Sequence, residues 1–97
     1  MEKTEITRLV EDRYSDATQP YVTRVICKND LTFYGYFNTF DDYSELKERN
    51  QYRFIPRNNL SAYKDEFVRK GKHNLNHSVV INGDDVLDIE FVLPLHI

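Results

Sequence analysis

His73 and His77 stand four residues apart, the spacing that places two imidazoles on one helix face toward a shared metal ion. Gly71 and the Asn-rich connector oppose a helix there and no third ligand follows, so loop histidines facing solvent are the plainer reading and no metal is expected. Asp84, Asp85, Asp88 and Glu90 gather oxygens that could hold a hard cation, but a hydrated turn and the wet side of a strand account for the same residues. Cys27 is the single cysteine. Its neighbour Lys28 would favour a thiolate, yet Cys27 has no base partner and lies in phase with Val25, which makes it a buried strand residue. Eight basic residues fall between Lys47 and Lys72, Arg53 and Arg57 among them, with Tyr52, Phe54 and Tyr63 interleaved. This is the only stretch with the pattern of a nucleic-acid surface, and Glu45, Glu48, Asp65 and Glu66 dilute it. Tyr34, Tyr36 and Phe40, with Tyr21 and Tyr43, form an aromatic patch of the kind favoured at protein interfaces. There is no Gly-rich phosphate loop and no recognisable Ser/His/Asp spacing. Catalysis, a cofactor and a small-molecule substrate are therefore not expected.

The elements that must position these groups are short. The chain has 97 residues, room for one domain spanning 1–97. Thirteen aromatics (seven Tyr, six Phe) argue for a packed chain rather than a disordered one. The longest apolar runs are three residues, as in Val79-Val80-Ile81, so neither a membrane span nor a secretory leader is expected and the cytoplasm is the default compartment. Sixteen acidic against thirteen basic residues give a net charge of −3, which is not the footprint of a general nucleic-acid binder.

Ile6, Leu9 and Val10 recur at helical spacing, with Thr4 as the N-cap candidate and a break over Ser15–Pro20. From Tyr21 the period becomes two. Tyr21–Cys27 is a first strand, Lys28-Asn29-Asp30 a turn, and Leu31–Phe40 a second strand, forming a hairpin. Gly35 in mid-strand calls for strong curvature or a close approach. Asp41–Asn50 reads as a loop and Gln51–Ile55 as a third strand stopped by Pro56. Leu60, Tyr63, Phe67 and Val68 mark a short helix inserted between strands three and four, with Asn59 at its start and Gly71 at its end. Ser78–Ile81 and Val86–Val92, joined through Asn82-Gly83, read as a second hairpin. An N-terminal helix and five short strands make a mainly β, strongly bent antiparallel barrel.

These residues resemble the Sm-like (LSm) family. The first motif is matched by the Asn29-Asp30 turn, Gly35, Phe37 and Asp41, and the second by Ile81-Asn82-Gly83-Asp84-Asp85-Val86. The resemblance covers roughly 4–55 and 78–93, with another SH3-like barrel as its competitor. It implies a five-stranded barrel whose fourth and fifth strands pair across subunits, with Val79, Val80 and Phe91 joining Tyr34, Tyr36 and Phe40 at the interface. In RNA-binding members a side chain two past the aspartate stacks on a base, which is Tyr43 here, and the basic residue of the second motif closes the site. Glu45 replaces the expected asparagine and Asn82 the expected arginine. The resemblance thus implies a non-catalytic module acting through protein, self or other. The alternative is single-stranded RNA binding through Tyr43, Asp41, Asn82, Gly83, Arg53 and Arg57.

Overall fold

The computed structural model describes residues 1–13, 21–39, 42–72 and 75–94. The 15–20 break, Phe40, Asp41, His73 and the tail from 95 to 97 lie outside the described residues. Helix α1, Lys3–Arg13, comes first. Its Ile6 and Val10, one turn apart, are fully buried. The Ile6 amide donates to the Glu2 carbonyl at 3.0 Å, so the helix starts before Thr4, which lies inside it rather than at its cap.

Strands β1 (Val22–Cys27) and β2 (Thr32–Asn38) form the expected hairpin, with Thr23 opposite Gly35 and Ile26 opposite Thr32. Asn29 and Asp30 in its turn adopt left-handed φ angles of 63° and 61°, which their short polar side chains tolerate. Residues 43–48 form a helix, α2 (Tyr43–Glu48), where the sequence suggested a loop. The signal was small: Tyr43 and Leu46, three apart and both buried. Strand β3, Gln51–Pro56, follows. Helix α3, Leu60–Lys70, ends on Gly71 at φ 70°, whose amide donates to the Phe67 carbonyl. Asn59 does not cap it, because its side-chain amide donates to the His77 carbonyl at 3.2 Å. β4 (Val79–Asn82) and β5 (Val86–Val92) complete one antiparallel sheet of order β4-β3-β2-β1-β5. Helices and strands take comparable lengths of chain, so the fold is mixed α and β rather than mainly β.

The sheet order overturns the second hairpin. β4 pairs with β3 and β5 with β1, at opposite ends of the sheet. Four strand spacings in a flat sheet amount to about 19 Å, whereas the four Cα steps from Asn82 to Val86 reach at most ~14 Å. The sheet must roll to bring its ends together, and Ile81 of β4 shares the core with Val86 and Ile89 of β5. Among the described residues no ladder joins those ends, so the sheet is strongly bent as expected from the sequence but does not close into a barrel.

One close approach and one bulge accompany the roll. A Cβ on Gly35 would collide with the Ile55 carbonyl oxygen, with Phe54 Cε2 at 2.9 Å and the Arg57 amide nitrogen at 3.0 Å beside it. The curvature inferred at Gly35 thus has a physical counterpart, strand-to-strand contact that only glycine permits. On β5 the pairing shifts between Ile26 and Cys27, so Cys27 faces Val86 and Ile26 faces Asp88. The extra residue is Leu87. Val86 and Ile89 therefore face the core, while Leu87 between them is exposed.

Candidate functional site

α2 sits beside α1 because two of its side chains, Tyr43 and Lys47, reach Glu11 on α1. The Tyr43 phenol donates to Glu11 Oε1 at 2.9 Å and Lys47 Nζ approaches the same oxygen at 3.1 Å. The Lys47 bond, then the Tyr43 bond, hold the Glu11 carboxyl below its ordinary value. Tyr43 is 8% exposed and packs in the core, and Lys47 Nζ lies 5.4 Å from the centre of its ring. Burial, reinforced by Glu11, pushes its hydroxyl far above the ordinary phenol range. Tyr43 is thus a buried anchor between two helices and does not offer its ring to a base.

Arg53, in the middle of β3, is also engaged. Its Nη2 lies 2.8 Å from Asp42 Oδ2, its Nε 3.3 Å from Oδ1 and its Nη1 3.2 Å from Ser78 Oγ. This fork ties the start of α2 to β3 and to the residue preceding β4. The Arg53 hydrogen bonds hold the Asp42 carboxyl below its usual range. Asn82 accepts from the Asp84 amide through its own side chain at 3.2 Å. Gly83 is buried against Asn50, its amide donating to the Asn50 carbonyl at 2.7 Å. Its glycine serves this close approach, not a hairpin turn. Of the three other described RNA candidates, Asn82, Arg53 and Arg57, only Arg57 is exposed near an aromatic surface, in a cleft with Phe33, Tyr34 and Pro56.

Asp84, Asp88, Glu90 and His77 have structural partners. Asp84 Oδ1 accepts from the Asn50 side-chain amide, Asp88 Oδ1 from the Ile89 amide, and Glu90 pairs with Arg24 at 2.9 Å across the β1–β5 ladder. His77 Nε2 lies 3.3 Å from Glu66 Oε1. Among the described residues no group of three or more His, Cys, Asp or Glu is placed to hold a metal ion. Cys27 is buried, and burial followed by Asp85 pushes its thiol up, opposite to the effect anticipated from Lys28.

Exposed apolar side chains occur on α3, where Val68 is 81% exposed, at Tyr21 and Leu31 beside the first hairpin, and at both ends of the sheet. On β4, Val79 and Val80 are 37% and 44% exposed, and on β5 Leu87 is 55% exposed. Phe91 is half-buried and packs against the core. Tyr34 and Tyr36 are half-buried in mid-sheet, and the Arg24 guanidinium carbon stands 5.6 Å from the Tyr34 ring centre. Of the expected interface, the structure therefore gathers Val79 and Val80 on one open edge. Leu87, missed in the sequence, faces solvent on the other because of the bulge. Among the described residues no helix is long and apolar enough to cross a membrane. Comparison with protein-family models, curated proteins and solved structures finds no match.

Proposed function

We propose that this chain is a non-catalytic binding or assembly module acting through protein association, with a second copy of itself as the first candidate partner. One observation carries the reading: β4 and β5 end the sheet without pairing to each other, and both present apolar side chains. Open strand edges are templates for pairing with another chain. The resemblance to Sm-like proteins, in which these two strands pair between subunits, agrees with the helix-first element order and the position of both strands at the sheet ends. On this reading the rolled sheet is an Sm-like barrel completed by its neighbours, and its place of action is the cytoplasm. Single-stranded RNA binding has less support, since Tyr43 is buried, Arg53 is held by Asp42, and Asn82 is turned to the Asp84 amide. Light scattering coupled to gel filtration at about 50 µM tests association by mass action. A discrete oligomer is expected, and a strict monomer removes the self-assembly reading.

A further inference from the structure

Asn82 and Gly83 form the only Asn-Gly pair of the chain, and the fold treats its two members differently. Asparagine is among the thermally labile side chains. Its reaction needs no cofactor. The backbone nitrogen of the next residue attacks the side-chain carbonyl carbon, a carbon–nitrogen bond closes a succinimide ring, and the amide nitrogen leaves as ammonia with the proton that the backbone nitrogen gives up. Water then adds across one of the two ring carbonyls and opens the ring to aspartate or isoaspartate. Glycine in the next position favours the attack, because no Cβ stands in its way.

Asn82 is exposed at the end of β4, so its amide is open to water. Gly83 is buried, and its N–H donates to the Asn50 carbonyl at 2.7 Å. The Asn50 side chain lies where a Cβ on Gly83 would stand. It is held there by accepting from the Tyr52 hydroxyl at 3.0 Å and donating to Asp84 Oδ1 at 3.1 Å. A nitrogen whose proton is engaged by a buried carbonyl is kept both from solvent base and from the Asn82 side chain, whose oxygen is itself bonded to the Asp84 amide at 3.2 Å. We propose that Asn82-Gly83 is a deamidation site gated by Asn50, inert while Asn50 holds the Gly83 amide and reactive when the end of β4 opens. The gate is independent of any association between copies. Deamidation places a new carboxylate beside Asp84 and Asp85, and isoaspartate also adds a carbon to the main chain at the entry to the three-residue step from β4 to β5. Like charge and a lengthened backbone both oppose re-formation of the Asn50 contact, so an opening that reacts is recorded in the chain.

Peptide mapping by mass spectrometry, after incubation in mildly alkaline buffer with and without urea, follows the conversion of Asn82. The unfolded chain is expected to deamidate at Asn82 at least about tenfold faster than the folded one, because the folded chain reacts only from its opened fraction. Asn50→Gly keeps the left-handed backbone and removes the bonds to Tyr52 and Asp84, so the rate in the folded chain should rise about tenfold. Val22→Ala lowers global stability at the far end of β1, away from Cys27 and Val86, and should leave that rate unchanged. Circular dichroism and thermal melting establish that both variants are folded before rates are compared. Equal rates with and without urea, or an Asn50→Gly rate no higher than that of Val22→Ala, overturn the gate. Conversion in urea at other asparagines in preference to Asn82 overturns the site itself.

Discussion

Gly83 is packed directly against the side chain of Asn50, which occupies the space a Cβ on residue 83 would need. The same Asn50 adopts a left-handed φ of 55°, receives the Gly83 amide on its carbonyl, accepts from the Tyr52 hydroxyl at 3.0 Å and donates to Asp84 at 3.1 Å. One asparagine thus locks the end of β4 to the start of β3, and it is this lock that lets the chain step from one end of the sheet to the other in three residues. Gly83→Ala is expected to cost about 1–3 kcal/mol in urea unfolding, the range for overpacking a tight site. Asn50→Gly keeps the left-handed backbone and clears the space, so the double variant should be more stable than the sum of the single losses by at least ~1 kcal/mol. Simple additivity would show that the two residues do not press on each other.

Gly35 faces a harder obstacle. A methyl group there meets the Ile55 backbone carbonyl rather than a side chain, and backbone paired in a ladder cannot swing aside. Gly35→Ala should therefore cost more than Gly83→Ala, about 3 kcal/mol or more, and lower the melting temperature accordingly. Near-wild-type melting of Gly35→Ala would contradict the close approach that shapes the roll.

Tyr43 distinguishes a core role from a base-stacking one. Tyr43→Phe keeps the buried ring and loses the bond to Glu11, for a loss of about 1 kcal/mol. Tyr43→Ala empties a core position and should cost about 3–5 kcal/mol, as other large-to-small aromatic changes do. Denaturant titration of both variants measures the gap; equal and small losses would mean that the ring is not buried.

The Asp42–Arg53 pair sets an acid limit. Its folded-state pKa lies below the ordinary 3.8, chiefly through the Arg53 hydrogen bonds. The unfolded chain therefore binds the proton more readily, and the pair's stabilisation is fully present above that ordinary value and lost as pH falls through the lower folded one. Stability should decline with acid over that window, and the decline should be shallower in Asp42→Asn, which itself loses about 1–2 kcal/mol at neutral pH. An identical acid slope in Asp42→Asn would exclude Asp42 from the effect. The exposed Glu11 carboxylate, lowered first by Lys47, shifts in the same direction.

Much of the fold was legible because its signals are local. Period two with β-branched residues marked β1, β2, β3 and β5, and Gly71 with Arg69 and Lys70 marked the end of α3. The failures occurred where a distant residue decides. Asn82-Gly83 carries a strong hairpin signal, but its glycine is required by Asn50, thirty-three positions away in the chain. α2 has six residues, too few for periodicity to announce, and it forms because Tyr43 and Leu46 find the core and Glu11 receives both Tyr43 and Lys47. Of the candidate site, Val79 and Val80 could be read from their run of apolar residues. Leu87 could not, because a bulge follows from the pairing of Cys27 and leaves no mark in the residues around it.

Amide hydrogen exchange resolved along β4 and β5 tests the proposed edge association most directly. In an isolated chain alternate amides of each edge strand face outward and exchange as fast as exposed backbone, while β1 and β2 are protected on both sides. Edge pairing between copies predicts protection of every amide from Val80 to Asn82 and from Leu87 to Glu90 at about 50 µM, matching the interior strands. Rapid exchange at alternate positions of both strands at that concentration would contradict it.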